Sequence, residues 1–276
     1  MKNNKIIIYD DSCPLCAAYT QGFVYAGLIQ KDNRRDFTSI DPELLNLLDI
    51  KKCPNEIPVI DTETKLVYYG IDAIVEILQT KIPLAKKIIQ FPGIRWPLTK
   101  LYKLISYNRR VIVASTATVG NFDCTPNFNY KYRLVFMISF LVFNTMMLFS
   151  VHKYIMINSF STISAMEFQV CHIALVALNL IIACCLNKKM AFDYLGQVNM
   201  LALATILATV PLMLLNKFHF IQHVFINNIY LLLLTFFVFK EYKRRMHFAG
   251  IIQTYPVIYI INLIGIGGFI AFLLLY

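Results

Sequence analysis

Charged residues are scarce in this 276-residue sequence, since they make up 15% of it while hydrophobic residues make up 58%. A soluble globular protein has about 25% charged and about 45–50% apolar residues. The shortage of charge excludes a protein that is soluble throughout, and the apolar content excludes intrinsic disorder. The ten glycines exclude a collagen-like repeat, and seven cysteines over this length exclude a small disulfide-held domain.

Acidic residues are especially scarce after residue 80, because twelve of the sixteen precede that point. Residues 1–80 carry a net charge of −4, residues 81–133 carry +9, and residues 134–276 carry +5. We therefore predict three parts: a soluble domain over 1–80, a basic connector over 81–133 and a membrane region over 134–276. The basic connector beside a membrane needs no nucleic-acid partner to explain its charge.

Five apolar stretches in the last region are long enough to cross a bilayer, which takes about 20 mainly apolar residues. None of them contains an acidic residue, lysine or arginine. Five such stretches leave too little polar surface for a soluble helical domain, so we predict an all-α transmembrane bundle of about five helices. The predicted spans are 134–151, 168–186, 196–215, 221–239 and 256–276.

The loops between these spans predict their orientation. With the N-terminus inside, the inner loops at 187–195 and 240–255 carry six lysines and arginines, whereas the outer loops carry only Lys153 and Lys217. Positive charge stays on the cytoplasmic side. The apolar run near the N-terminus is too short for a signal peptide. We expect an integral protein of a bacterial inner membrane, with a cytoplasmic N-terminal domain and the C-terminus outside.

A C-x-x-C motif follows the first predicted strand, residues 5–9, and opens a helix. Cys13 stands at the helix N-terminus, where the helix dipole stabilises a thiolate and lowers its pKa. Pro14 suits the first helical position. Cys16 lies one turn later, where we expect it to be more buried and able to close a disulfide. This placement is typical of a thiol-disulfide redox site.

Two other interpretations of the motif stay open at this point. The cysteine pair could be structural only. It could also be half of a zinc site, but tetrahedral zinc needs a second pair of ligands at a suitable spacing. Cys53 and Cys124 are isolated, and the soluble domain contains no histidine, so we predict no metal and no cofactor there.

The remaining pattern of the soluble domain predicts the order β-α-β-α-β-β-α. Its later elements are strands over 36–40, 56–60 and 65–69 and helices over 42–49 and 71–79. Pro58 lies near the start of the third strand, and a proline normally marks an edge strand. A cis Ile57–Pro58 bond facing the cysteine pair, as thioredoxin architectures use, is the alternative.

The motif residues Asp10, Cys13 and Cys16 resemble the signature of the DCC family of predicted thiol-disulfide oxidoreductases, also called DUF393. Two further runs, 66–73 and 101–110, are similar to this family, so that the resemblance covers roughly residues 5–125. It implies an α/β thioredoxin-like domain. The family usually has glycine after the motif aspartate, where this chain has Asp11. Two carboxylates before Cys13 should raise its pKa.

The resemblance implies thiol-disulfide exchange, and the predicted spans and their orientation make this a membrane-tethered oxidoreductase on the cytoplasmic side. We expect a thiol or disulfide protein as its substrate and membrane lipids as its surroundings. The candidate catalytic residues are Cys13, Cys16, Asp10 and Pro58. Asp10 would orient the loop or relay a proton, unless it only caps the turn. The alternative is a non-catalytic assembly subunit, whose head docks a partner while the spans join other membrane subunits.

Three further hypotheses concern residues outside the motif. The stripe Leu98, Leu101, Tyr102 and Ile105 predicts an amphipathic basic helix, lying either on the anionic inner leaflet or against the head with its charges in water. Cys124 is either a third redox thiol or a plain loop cysteine, and Cys53 is structural. A set of histidines near the outer ends of the spans either binds a metal, haem or quinone or only marks the interface: His152, His172, His219 and His223.

Overall fold

The computed structural model describes residues 4–115, 124–220 and 223–276. Residues 116–123 of the predicted connector and residues 221–222 of the predicted fourth span lie outside this part. The chain divides into two compact units, Met1–Arg133 and Leu134–Tyr276. The first unit carries the motif and is built on a β-sheet, whereas the second is helical.

The first unit follows the predicted order of elements. Its helices and strands are β1 (Lys5–Tyr9), α1 (Pro14–Tyr25), β2 (Arg34–Asp36), α2 (Pro42–Leu45), β3 (Pro58–Asp61), β4 (Val67–Tyr69), α3 (Gly70–Leu78), α4 (Pro83–Gln90) and α5 (Pro92–Val113), with a 3-10 turn at Lys31–Asn33. The strands form one sheet in the order β2-β1-β3-β4, in which β1 is parallel to β2 and antiparallel to β3, and β3 is antiparallel to β4. This mixed sheet with its helices confirms the predicted thioredoxin-like α/β fold.

The second strand lies earlier than the predicted 36–40. The carboxylate of Asp36 accepts hydrogen bonds from the backbone N–H groups of Thr38 and Ser39, at 3.0 and 2.7 Å. Asparagine and aspartate stabilise turns in this way. The chain therefore turns where the apolar pattern favoured a strand, and β2 ends at Asp36.

Both faces of the sheet are buried, because residues alternate between the two faces along a strand. One apolar cluster packs on each face. Ile7 of β1 and Val59 of β3 belong to the first cluster, whereas Ile8 of β1 and Ile60 of β3 belong to the second. The Ile7 cluster includes residues from the loop after α1 and from α3, whereas the Ile8 cluster includes Cys53 and Cys124. The sheet thus places the end of β1, and the motif that follows it, between two packed layers.

Gly70 connects β4 to α3 in a conformation that suits glycine. Its φ is +59°, and its N–H donates to the carbonyl oxygen of Ile57 at 3.0 Å. A Cβ atom here would lie 3.3 Å from Cε1 of Tyr102 in α5. Positive φ and this close approach together explain why the sequence breaks the strand with glycine.

The second unit contains the predicted five long apolar helices. They are α6 (Tyr130–Tyr154, which begins within the first unit), α7 (Ala165–Cys184), α8 (Lys188–Lys217), α9 (Val224–Phe248) and α11 (Pro256–Leu275), and the short α10 (Ile251–Thr254) precedes the last. Each of the five is long and apolar enough to cross a membrane. This confirms the predicted number of long apolar helices in the described part of the chain.

Neutral polar groups connect the helices of this unit. Asn144 of α6 donates to the side chain of Asn199 of α8 at 2.8 Å. Asn179 of α7 accepts hydrogen bonds from the hydroxyl of Tyr194 at 2.6 Å and from Asn262 at 2.8 Å. Such bonds hold transmembrane helices together where no hydrophobic driving force acts between them.

Candidate functional site

The C-x-x-C motif lies at the junction of β1 and α1, as the sequence predicts. Cys13 is the residue before the first helical position, with an extended backbone at φ −104° and ψ 105°, and Pro14 begins α1. The carbonyl oxygen of Cys13 accepts the first helical hydrogen bond, from the N–H of Ala17 at 3.0 Å. Cys16 lies one turn inside the helix. The helix N-terminus therefore points its unpaired N–H groups toward Cys13.

The two thiols differ sharply in acidity. A hydrogen bond from the thiol of Cys16 lowers the pKa of Cys13, against the opposing effect of burial, and the backbone N–H of Cys16 and the charge of Arg109 lower it further. The same hydrogen bond and burial raise the pKa of Cys16. All seven cysteines are free thiols. The pair therefore has one residue suited to be a thiolate and one that holds its proton.

Both sulfur-bearing residues are buried, and the expectation that Cys13 is the more exposed of the two is wrong. Cys13 is 0% exposed and Cys16 is 3% exposed. The physical reason is that side chains of α5 lie over the motif: Arg110 donates to the carbonyl oxygen of Ser12 at 3.2 Å and to the hydroxyl of Ser12 at 2.7 Å. The residues of the motif alone did not predict this burial, because it depends on a helix that comes much later in the sequence.

Asp10 is the polar centre of the site. Its Oδ1 accepts hydrogen bonds from the N–H of Ser12 at 3.1 Å and from the hydroxyl of Ser12 at 2.5 Å. Its Oδ2 pairs with Arg110 at 3.1 Å and with Arg109 at 3.5 Å. Asp10 is 6% exposed, so one buried carboxylate both shapes the loop before Cys13 and pairs with two buried arginines, which leaves the group of three with a net positive charge.

The sequence expectation that two carboxylates would raise the pKa of Cys13 is wrong in its net result. Asp11 is exposed to solvent, where its charge is screened. The charge of Asp10 does raise the pKa of Cys13, but this contribution is smaller than those of Cys16 and Arg109. Asp10 is paired with Arg109 and Arg110, so the charge of this group as a whole is positive and favours a thiolate at Cys13.

Arg109 and Arg110 are the site residues that the sequence interpretation missed. Both are buried, at 6% and 7% exposed, although the connector helix was expected to keep its charges in water. Arg109 also donates to the carbonyl oxygen of Cys124. The one signal in the sequence was the similarity of 101–110 to the DCC family, which ends on these arginines.

The helix α5 turns its polar side, not only its apolar stripe, toward the rest of the first unit. Tyr102 packs against the cluster on Ile7, whereas Leu101 and Ile105 are exposed at 51% and 43%. Ser106 donates to the carbonyl oxygen of Asn55. The apolar periodicity predicted the helix but not which of its sides is buried. In a sequence, an arginine that is buried against a distant aspartate cannot be distinguished from one that lies in water.

Two tyrosines line the buried side of Cys16. Burial holds the pKa of Tyr19 well above its usual range, with a further contribution from Cys16. Burial likewise raises the pKa of Tyr102 to about 12. The hydroxyl of Tyr102 accepts a hydrogen bond from the N–H of Ile57 at 2.9 Å. Tyr102 therefore connects α5 to the chain just before Pro58.

Pro58 is buried and is the first residue of β3, which lies inside the sheet between β1 and β4. The expectation of an edge strand is therefore wrong. Pro58 pairs only with Tyr69 of β4, and the pairing with β1 begins at Val59. A proline without an N–H fits this first position. The alternative of a cis bond is also wrong, because all peptide bonds of the described residues are trans.

Cys53 and Cys124 lie together in the cluster around Ile8, at 3% and 2% exposed. Burial raises the pKa of Cys53 to about 12 and also raises the pKa of Cys124. The thiol of Cys53 donates to the carbonyl oxygen of Asp49 at 3.3 Å. Both cysteines thus behave as small apolar core residues, and this environment disfavours Cys124 as a redox thiol.

The four histidines are not brought together in a metal site. Within the described ranges, no group of three or more histidine, cysteine, aspartate or glutamate side chains could hold a metal ion. His152 contacts the carbonyl oxygen of Ile163 at 2.8 Å, whereas His172 contacts the hydroxyl of Thr145 at 3.1 Å. The hypothesis of one shared metal site is not supported by this arrangement.

Comparison with protein families identifies residues 7–114 as a DCC1-like thiol-disulfide oxidoreductase domain. The match runs from β1 to the end of α5, so it includes the motif and both buried arginines but less than half of the chain. The five apolar helices lie outside it. Comparisons with curated proteins and with solved structures gave no match. The resemblance drawn from the motif is thereby confirmed for the first unit.

Proposed function

We propose that the chain is a membrane-tethered oxidoreductase that exchanges disulfides through Cys13 and Cys16 on the cytoplasmic side of the membrane. One observation carries the proposal: Cys13 caps the N-terminus of α1 with Cys16 in the first turn beside it, and in this arrangement the pKa of Cys13 is lowered while that of Cys16 is raised. A low thiol pKa provides the nucleophilic thiolate at neutral pH.

The exchange would run in two steps. The thiolate of Cys13 attacks one sulfur of a substrate disulfide, forms a mixed disulfide, and releases the other substrate sulfur as a thiolate that takes up a proton. Cys16 then loses its proton and attacks the sulfur of Cys13, which frees the second substrate thiol. Two electrons pass to the substrate, and Cys13 and Cys16 end as a disulfide. A dithiol reductant of the cytosol would restore the reduced pair.

The surrounding residues would position the pair. Arg109 stabilises the thiolate by its charge, and Asp10 holds both arginines and the loop before Cys13. Arg110 fixes that loop through Ser12. Pro58 is the first residue of β3, next to β1. Its role would be to shape the chain beside the cysteine pair where the substrate binds.

Burial of Cys13 adds a requirement to this function. Because the residue has no exposed surface, a substrate can reach it only after the side chains over the motif move. The contacts of Arg110 with Ser12 are the ones that must open, since they lie directly beside Cys13. The cytosolic environment keeps thiols reduced, so we favour a reductase or a transient redox sensor over a generator of stable disulfides.

The five apolar helices would anchor this domain at the inner face of a bacterial membrane. Exposed apolar side chains of α4, of α5 and of the residue between them, including Leu84, Trp96 and Phe91, lie in a segment that also carries lysines. This combination suits the headgroup region of an anionic leaflet.

A redox titration of the full chain in phospholipid nanodiscs tests the proposal. In glutathione buffers, the Cys13–Cys16 disulfide should form and break reversibly, and Cys16→Ser should accumulate glutathione on Cys13. Cys13→Ser should abolish both products. Cys184→Ser is the matched control, since Cys184 is exposed and distant in sequence. Failure to form the Cys13–Cys16 disulfide under strong oxidant would exclude the catalytic function.

A second candidate is a docking subunit of a larger membrane complex. The observation that favours it is the burial of both thiols, because buried structural cysteines are inert. The double variant Cys13→Ser with Cys16→Ser separates the two candidates in cells. An assembly role should survive these substitutions, and the same partners should co-purify, whereas an oxidoreductase should lose its function.

A further inference from the structure

We propose that the second unit binds a lipophilic molecule that carries a hydroxyl group, in a cavity among α6, α7, α8 and α11. The cavity has a volume of about 370 Å³, and all of its lining residues belong to the second unit. Ligand cavities of proteins have volumes of about 300–1,000 Å³, with apolar walls and a few polar groups that orient the ligand.

The walls are almost entirely aliphatic and aromatic, and no lining residue is charged. This excludes ions and charged metabolites as ligands, because the bundle offers no countercharge. The polar side chains on the walls are Asn144, His172, Asn179, Asn199 and Thr205. Their free hydrogen-bonding atoms determine which polar group an apolar ligand must carry.

Three of these polar groups are satisfied within the protein. Asn179 donates to Leu175 and accepts from Tyr194 and Asn262. The amide of Asn199 donates to the carbonyl oxygen of Met137 at 2.6 Å and accepts from Asn144. The hydroxyl of Thr205 donates to its own helix. These groups hold the helices and are not available to a ligand.

His172 is left with a free acceptor. The hydroxyl of Thr145 donates its one hydrogen to the carbonyl oxygen of Leu141 at 2.8 Å. With that hydrogen on Leu141, the oxygen of Thr145 accepts at its 3.1 Å contact with Nε2 of His172, and on this ground we assign the ring hydrogen to Nε2. In the neutral ring, Nδ1 is then an acceptor. His172 makes no other hydrogen bond within the described ranges, and it is 9% exposed.

Asn144 provides a second acceptor on the neighbouring helix. It is 1% exposed, and its amide nitrogen is used by Asn199. Its Oδ1 is buried without a hydrogen-bond partner. Buried polar atoms normally have a partner, and leaving one without costs about 1–3 kcal/mol. The missing partner on both side chains is a donor.

The ligand is therefore an apolar molecule with a hydroxyl group, because it must fill an aliphatic cavity and donate a hydrogen bond near its wall. A ketone, an ether or a hydrocarbon of the same size offers no donor and would leave both acceptors unpaired. This inference does not depend on the thiol chemistry of the first unit, so either proposal can fail without the other.

Equilibrium binding of para-nonylphenol to the full chain in nanodiscs tests the site, with empty nanodiscs measuring partition into lipid. Para-nonylanisole is the matched ligand, since it has the same chain and ring but a methyl ether in place of the hydroxyl. We expect saturable binding of the phenol, about five-fold tighter than that of the ether, the effect of one hydrogen bond of about 1 kcal/mol.

Two variants and one control locate the binding. His172→Phe keeps the ring volume and removes one of the two acceptors, so the preference for the phenol should fall while the affinity for the ether is kept. Ala202→Phe fills the cavity and should weaken both ligands. His247→Phe is the control, because His247 is exposed and outside the cavity.

Absence of saturable binding beyond empty nanodiscs would overturn the proposal. Equal affinity for the phenol and the ether in the wild-type chain would also overturn it, and this comparison needs no variant. A phenol preference as large in folded His172→Phe as in the wild type would overturn the assignment of His172 as an acceptor for the ligand.

Discussion

The two units bury polar side chains of different kinds. Among the described residues, ten polar or charged side chains are buried in each unit. Seven of those in the first unit are ionised types, including Asp10, Arg109 and Arg110, whereas Arg245 is the only one among the ten in the second unit. Amides predominate in the second unit, with Asn179 and Asn262 as examples.

The difference follows from the surroundings of each unit. A domain surrounded by water can bury a charge if it is paired, since its partners replace hydration. A lipid-embedded bundle pays a larger desolvation cost for charge, so neutral amides and hydroxyls connect its helices. Chemistry that needs a stabilised thiolate therefore lies in the first unit, and recognition of neutral molecules suits the second.

The largest effect is expected from removing the carboxylate at the centre of the first unit. Asp10→Ala leaves Arg109 and Arg110 buried without a countercharge and should lower the free energy of unfolding by about 3–5 kcal/mol. Urea titration of the full chain, with alkylation of buried Cys53 as the signal for opening of this unit, measures the change.

Asp72→Ala is the matched control for this substitution. Asp72 pairs with Arg95 at 3.0 Å, but both side chains are roughly half exposed. An exposed ion pair contributes less than about 1 kcal/mol. Equal losses for the two aspartate variants would mean that the buried charge cluster has no special importance for the first unit.

A graded effect is expected on the acidity of Cys13. Cys16→Ala removes the largest contribution and should raise the pKa of Cys13 most, whereas Arg109→Gln should raise it less. In each case the rise of the alkylation rate with pH should move to higher pH, since only the thiolate reacts.

The measurement is the pH profile of iodoacetamide labelling at Cys13, resolved by mass spectrometry. In the wild type, the labelling rate should reach half of its plateau value at a pH below the ordinary thiol pKa of about 8.5. Labelling of Arg110→Gln should be faster at every pH because its cover is loosened. An unchanged profile in Cys16→Ala would contradict the shared hydrogen bond.

The smallest effect is expected in the membrane unit. Asn179→Ala removes the acceptor of Tyr194 and Asn262 and should lower the stability of the bundle by about 0.6–2 kcal/mol, as found for polar contacts between transmembrane helices. Unfolding of the full chain in mixed detergent micelles measures it. A loss as large as that of Asp10→Ala would contradict the comparison between the units.

The half-buried Asn228 offers a matched substitution for that experiment. Its side chain donates only to the carbonyl oxygen of Val224 in its own helix, so Asn228→Ala breaks no contact between helices. Its stability should stay within about 0.5 kcal/mol of the wild type.

Much of the site followed from the sequence, because it depends on neighbours in the chain. Cys13, Pro14 and Cys16 were placed at the helix N-terminus by the strand before them and the helix after them. The contacts of Arg109 and Arg110 with Asp10 were not predictable in this way, since they join residues about one hundred positions apart. The same holds for Pro58, whose position inside the sheet depends on which strands pair.

The sequence by itself determined the order of elements in the first unit, the five apolar helices and the place of the cysteine pair, because periodicity and local capping act over a few residues. Only the tertiary structure decided that α5 buries its arginines over the motif, that Asp10 pairs with both of them and that Cys13 is enclosed. These depend on desolvation and charge pairing, which act through space between segments that the chain order leaves far apart.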